Sequence, residues 1–270
     1  MNYPLISTIA LLVSCNLAHA DYVGTDDFSG TSRDASKWGT VVDFGVGQLS
    51  QTGDGVVRYS TTGAPTALDA EVWLWTLGNA PFNSSWSIQL DVNNPFVTTA
   101  ISDVTTYVSI DLLVRHSADI QLNGFSSSLE NSAGEQSFKS VIDSATPPLD
   151  FLVATSSTSA AVMISWDAAA HLLTSGYDVD GPVNGYSWTT FVQFDPTAQD
   201  TWKMDPADTF ILGIDGNSAN TVVNTGDNVY ADNFNAVSMP SAVPEPASIA
   251  MLGIGLAGLG YRFSRRKKAS

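Results

Sequence analysis

Apolar residues recur at every second position in one segment after another, and this two-residue period constrains the fold more than any other feature of the chain. Trp86, Ile88, Leu90 and Val92 fall on one face of a run whose other face carries Ser87, Gln89 and Asp91, the pattern of an antiparallel strand buried on one side. Val108, Ile110, Leu112 and Val114 alternate with Ser109, Asp111 and Leu113; Ile120 and Leu122 alternate with Gln121 and Asn123; Val162, Ile164 and Trp166 alternate with Met163, Ser165 and Asp167. Further strands are expected over residues 56–60, 71–75, 188–194, 210–214 and 229–237. Gly, Asn, Asp, Ser and Pro clusters punctuate these runs as turns do. No part of the body sustains a helical period over three turns. A short helical turn is expected near residues 168–172, and the Ser/Thr-rich stretch 155–159 reads as a loop. Many short strands with polar turns predict an all-β fold, a two-sheet antiparallel β-sandwich with Greek-key or jelly-roll connections.

The two ends of the chain do not share this pattern. Residues 4–13 are apolar and are followed by Asn16-Leu17-Ala18-His19-Ala20, whose small residues Ala18 and Ala20 suit signal-peptidase cleavage before Asp21. The leader has no Lys or Arg, and Leu12-Val13-Ser14-Cys15 resembles a lipobox, so lipidation at Cys15 stands as an alternative to cleavage after Ala20. At the other end Pro244-Glu245-Pro246 precedes an apolar, Gly-interspersed run over residues 247–261 and then Arg262, Arg265, Arg266, Lys267 and Lys268. Proline biases the residue before it away from the helical region, so the tripeptide separates the tail from the body. Fifteen helical residues span roughly 22 Å against a hydrocarbon core of ~30 Å, and the basic cluster obeys the positive-inside rule. The order of these three parts resembles the PEP-CTERM sorting signal of Gram-negative bacteria that make exopolysaccharide. That resemblance implies an exosortase partner that cuts near the tripeptide and a membrane contact that lasts until processing; a permanent tail anchor is the alternative. The expected organisation is a signal peptide at 1–20, a sandwich domain at 21–240 and a sorting tail at 241–270.

Charge and cysteine then narrow the chemistry. The tail holds five of the eleven basic residues and one of the 27 acidic ones, which leaves the body with a net charge of −20. Nucleic acid is thereby excluded as a partner; an acidic exported surface fits solubility and divalent-cation binding. Cys15 is the only cysteine, so the body has no disulfide, thiol nucleophile or thiolate metal site.

Three pieces of the body together resemble concanavalin A-like lectin, glucanase and laminin-G-like domains. They are the opening Asp26-Asp27-Phe28-Ser29-Gly30 with Asp34-Ala35-Ser36-Lys37-Trp38, the stretch from Ala161 to Leu173 continued by Tyr177-Asp178-Val179-Asp180-Gly181, and the closing Val229-Tyr230-Ala231-Asp232-Asn233-Phe234. The resemblance implies that the middle piece is a hairpin and that the last strand pairs with the first.

A glucanase on such a fold would place acids in a Glu-x-Asp-x-x-Glu run, and no such run occurs. Asp69 and Glu71 share a strand face without a third acid and read as an exposed edge pair. His116 and His171 have no Gly-x-Ser-x-Gly elbow to serve and read as surface or turn residues. No phosphate loop or zinc spacing appears, so no catalytic residue is assigned. For binding, Trp86 and Trp166 belong to apolar strand faces, whereas Trp73 and Trp75 are candidates for stacking on a sugar ring, with core packing as the alternative. Asp178, Asp180 and Asn184 begin like a calcium loop, but Thr189 stands where a closing bidentate Glu is needed; a plain Asp-Gly turn is the alternative. Asp26, Asp27 and Asp232 would form a second oxygen-rich cluster if the first and last strands pair.

The sequence therefore predicts an exported structural or adhesive protein of the cell surface, outer membrane or extracellular matrix, transiently anchored in the inner membrane and associated with exopolysaccharide. A lectin-like carbohydrate-binding module is the second reading and a degenerate glycoside hydrolase the third.

Overall fold

A computed structural model of the chain describes residues 22–99, 101, 104–118, 124–143, 148–199 and 202–239. Sixteen strands run through these residues: β1 (Gly24–Asp26), β2 (Trp38–Phe44), β3 (Gly47–Gln51), β4 (Val57–Thr61), β5 (Asp69–Trp75), β6 (Ala80–Pro81), β7 (Trp86–Asn93), β8 (Tyr107–His116), β9 (Gly124–Ser132), β10 (Glu135–Asp143), β11 (Leu149–Ala154), β12 (Ser159–Asp167), β13 (Leu172–Asp178), β14 (Thr189–Phe194), β15 (Thr209–Ala219) and β16 (Tyr230–Ser238). They form two antiparallel sheets. Sheet A runs β14-β13-β12-β7-β16-β4-β3 with β1 on β16, and sheet B runs β11-β10-β9-β8-β15-β5-β2 with β6 on β15.

The alternation places the core between the sheets. Trp86, Ile88, Leu90 and Val92 of β7 and Val162, Ile164 and Trp166 of β12 are buried on the inner face of sheet A, and Val108, Ile110, Leu112 and Val114 of β8 meet them from sheet B. Burying each such side chain stabilises the fold by about 1.5–3 kcal/mol. Aromatic rings fill the ends of the sandwich. The Trp38 ring centre lies 4.8 Å from those of Trp75 and Phe234, while Phe210 packs against Trp86 and Trp166 at 5.2 and 5.0 Å. The expected pairing of first and last strands is present, with Gly24 opposite Ala236 and Asp26 opposite Phe234. So is the β12–β13 hairpin, with Trp166 opposite Leu173. Its connection, residues 168–171, is a turn and not a helix.

Six strands, β2, β3, β6, β9, β10 and β11, escaped the sequence pattern. β9, β10 and β11 fill the stretch between Gly124 and Ala154, where Ser-rich and charged residues dilute the apolar period. The strand expected at Ile120 and Leu122 lies outside the described residues, as do the leader with Cys15, Ala18 and Ala20 and the tail from residue 240 onward. Among the described residues no helix is long and apolar enough to cross a membrane.

Candidate functional site on the outer face of sheet B

Because β8 turns its even-numbered residues Val108 to Val114 into the core, its odd-numbered residues must face outward. Register then decides what they meet. Asp215 of β15 sits opposite Asp111 of β8, Asp111 opposite Ser128 of β9, and Ser128 opposite Lys139 of β10. One pleat further along, Asn217, Ser109 and Glu130 form a second row. Asp111, Asp215 and Lys139 of the first row and Asn217 and Glu130 of the second line a cleft of about 240 Å³ that Tyr107 also borders.

Most of the polar atoms here satisfy one another. The Lys139 ammonium lies 3.0 Å from Glu130 Oε2, 3.5 Å from Asp150 and 5.6 Å from the centre of the Tyr107 ring. The Ser109 hydroxyl donates to Asn217 Oδ1 at 3.1 Å. Oδ1 of Asp111 and Oδ1 of Asp215 differ, since both are buried without a hydrogen-bond partner among the described residues. Burial raises the pKa of Asp111, partly offset by hydrogen bonds from Ser109, Asn217 and Ser128 and by the field of Lys139. Burial and the neighbouring charge of Asp111 push Asp215 up to about 8 against the opposing field of Arg115. Two carboxyls on facing strand positions cannot both ionise cheaply. Both carboxyls are thereby shifted toward the protonated form, Asp215 to about 8, so the cleft holds a donor O–H beside acceptor oxygens. Glu130 is also raised by burial, offset mainly by Lys139.

The outer face of sheet A carries its own acids, and there a loop covers them. Asp91 of β7 accepts the Tyr186 hydroxyl at 3.1 and 3.2 Å and the Asn233 amide at 2.8 Å. Asn233 reaches it because β16 breaks register between Asp232 and Asn235, with Asn233 at φ +52°. Burial and the charge of Asp91 push the Tyr186 phenol up to about 12. The Tyr186 ring stacks on Trp188 at 5.1 Å with both half-buried.

Several expected site residues take other positions. Trp73 and Trp75 are 2% and 3% exposed and pack in the core, so neither offers a face for sugar stacking; this corrects the platform expected for them. Their strand lies inside sheet B, and the indole of Trp75 donates to the Tyr22 carbonyl at 2.8 Å. Asp69 and Glu71 are likewise buried and not an exposed edge pair. Glu71 accepts the Trp73 indole at 2.6 Å and, across the sandwich, the Leu49 backbone N–H at 2.7 Å, which ties β5 to β3. Asp69 accepts from Thr66 and from the Val46 backbone.

The oxygens of Asp178 accept the backbone N–H groups of Asp180 and Ser187, and Asp180 accepts the Asn184 amide. These bonds close a turn around the short 3-10 segment Gly181–Asn184. Asp26 is buried, with its oxygens taken by the Trp38 indole, the Phe28 N–H and Lys37, while burial, helped by the charges of Asp91 and Asp27, raises the pKa of Asp232. Among the described residues no three His, Cys, Asp or Glu side chains gather as a metal site. His116 is buried 3.3 Å from Asp208, and His171 sits in the β12–β13 turn at φ +55°. The Asp111–Asp215 pair was not singled out from the sequence, where Asp111 is one polar position of an alternating strand and the two lie 104 residues apart.

Comparison with known proteins adds the following. Solved structures similar to this chain include a glycoside hydrolase family protein from Mycobacterium thermorestibile, 10% identical over 80% of this chain and 100% of that one, TM-score 0.48. An endo-1,3-β-glucanase from Streptomyces sioyaensis is 14% identical over 80% and 94%, TM-score 0.49. A β-1,3-glucanase from Mycobacterium marinum is 12% identical over 80% and 98%, TM-score 0.45. None of these likenesses bears on activity. No curated protein matches the chain. Residues 242–267 match the PEP-CTERM protein-sorting motif, and the chain is accordingly an exported protein, sorted by an exosortase and held in the membrane before processing.

Proposed function

We propose that this protein is a structural or adhesive component of the cell surface or extracellular matrix that binds exopolysaccharide through the cleft on the outer face of sheet B. The observation that carries the reading is the Asp111–Asp215 pair, which keeps a buried Oδ1 on each residue without a partner among the described residues. A cleft with a few convergent polar groups and perturbed acids is where a ligand is expected. A saccharide supplies vicinal hydroxyls that donate to those oxygens and accept from the proton the pair holds. Lys139, Ser128 and Asn217 lie on the same rows to orient it. An orphaned buried oxygen costs about 1–3 kcal/mol, so a ligand that satisfies it gains correspondingly. The PEP-CTERM tail accounts for delivery to a surface where such polymers are made.

The same donor and acceptor oxygens could act on a glycosidic bond, and one experiment separates the two outcomes. Calorimetric titration of the exported protein with the host's exopolysaccharide, followed by an assay for new reducing ends, is expected to give binding without product. Asp111→Asn/Asp215→Asn should lose the binding while keeping the fold. Equal binding by that variant would overturn the reading, and product release abolished in the variant would assign hydrolysis instead.

A further inference from the structure

The edge of sheet B at β11 is unlike the other sheet edges among the described residues. All six residues of β11 are exposed, and five of them are apolar. Leu149, Phe151, Leu152 and Val153 are 51%, 38%, 59% and 36% exposed. By contrast β14 exposes Thr189, Thr190 and Gln193, β3 exposes Gln48, and β2 exposes Thr40 and Asp43 beside Phe44. β11 pairs with β10 on one side only. The Thr155 N–H donates to the Gln136 carbonyl at 2.9 Å. Antiparallel alternation therefore turns the backbone groups of Val153, Phe151 and Leu149 toward β10 and those of Ala154, Leu152 and Asp150 outward. The molecule thus offers an open ladder whose side chains are apolar on both faces. Natural edges usually avoid this with charge, proline or a bulge.

We propose that β11 pairs with β11 of a second copy of this chain, so that sheet B continues across a two-fold axis. Only residues with outward backbone groups can exchange hydrogen bonds, and the one register in which Asp150, Leu152 and Ala154 all pair is the symmetric one. Leu152 faces Leu152 of the second copy, and Asp150 faces Ala154. Charge at this edge does not oppose a second copy. The chain carries a net charge of −16 and repels its own kind over most of its surface, but Asp150 is bridged to Lys139 at 3.5 Å, and in this register it faces no acid. Phe151 and Val153 then meet across the axis on the inner side while Leu152 packs on the outer side. Because Leu152 is paired with Lys139 of β10, the two clefts open on one continuous face. Pairing does not depend on what the clefts bind.

The paired register brings the two Leu152 Cα atoms to about 5.5 Å, within the range of about 4.4–6.8 Å that a disulfide spans. In the full chain expressed in the exporting host, Leu152→Cys is expected to give a reductant-sensitive band of twice the chain mass. Wild type, which contains only Cys15, and Thr189→Cys on the polar β14 edge should lack it. Asp150→Cys should cross-link to co-expressed Ala154→Cys and not to itself. Phe151→Lys placed in the Leu152→Cys chain, and Leu152→Pro, whose lost N–H points away from β10, should abolish dimerisation while circular dichroism stays β. The proposal is overturned if folded Leu152→Cys gives no dimer beyond the Thr189→Cys level, or if its cross-linked partner has a mass other than that of this chain.

Discussion

Sheet A and sheet B both carry half-buried aspartates on their outer faces, yet the two faces treat them oppositely. On sheet A, Asp91 is roofed by the loop that brings Tyr186 and by the bulge that brings Asn233, and three polar contacts occupy its oxygens. On sheet B, among the described residues, Asp111 and Asp215 each keep an oxygen without a hydrogen-bond partner. Residue type and burial alone do not mark a site. An acid with its partners supplied by the fold holds structure together, whereas an acid left open has capacity for something from outside.

The largest test of this difference is pH. A carboxyl whose pKa is raised on folding binds its proton more tightly in the native state. Its stabilising contribution is complete below the ordinary value of 3.8, declines as the unfolded chain ionises above it, and is gone once pH passes about 8. The span of that window sets an upper bound of ~6 kcal/mol on the loss for Asp215. Chemical denaturation is expected to give a stability that falls steadily between pH 4 and pH 8, and Asp215→Asn should flatten that slope and be the more stable protein at pH 8. An unchanged slope in the variant would remove the protonated carboxyl from the description of sheet B.

An interior acid sharpens the same contrast. Glu71 bridges the two sheets, so Glu71→Ala leaves the Leu49 N–H and the Trp73 indole N–H unpaired in the core and opens a void. The expected cost is about 3–4 kcal/mol. Glu71→Gln, which keeps one acceptor, should lose less. Urea midpoints of the two variants measure the difference.

Asp91→Ala on sheet A removes an acceptor shared by Tyr186 and Asn233, and about 2 kcal/mol should be lost. Its pKa is raised, mainly by burial, so Asp91→Asn is the gentler variant. Neither should alter saccharide binding if the sheet B cleft is the site, and a loss of binding in Asp91→Asn would move the site to the other face.

How far these contacts could be read from the sequence depended on their range. The β7, β8 and β12 faces were legible because burial on one side imposes a two-residue period that no tertiary detail overrides. β9 and β10 were not, since Ser126, Ser128 and Glu130 face outward while Ser127 and Asn131 interrupt the inward set. Trp73 and Trp75 alternate with Leu74 just as an exposed aromatic stripe would, and only the packing of their face into the core cluster settles that they are core. The Asp111–Asp215 pairing rests on the register between β8 and β15, a contact spanning more than a third of the chain. No local pattern encodes it.

The smallest effect is expected at the Asp178 turn, where the acids again have partners. Both Asp178 oxygens accept backbone N–H groups, and Asp180 accepts the Asn184 amide, so a cation would have to displace bonds that already hold the turn. Binding to the native state raises the melting temperature by mass action. Millimolar calcium is therefore expected to leave the melting temperature unchanged. Asp178→Asn keeps one acceptor oxygen and should cost about 1 kcal/mol with or without calcium. A rise in melting temperature with calcium that disappears in Asp178→Asn/Asp180→Asn would show that these acids exchange their backbone partners for the ion. In that case the open acids of sheet B would no longer be the only ones with capacity for a ligand among the described residues.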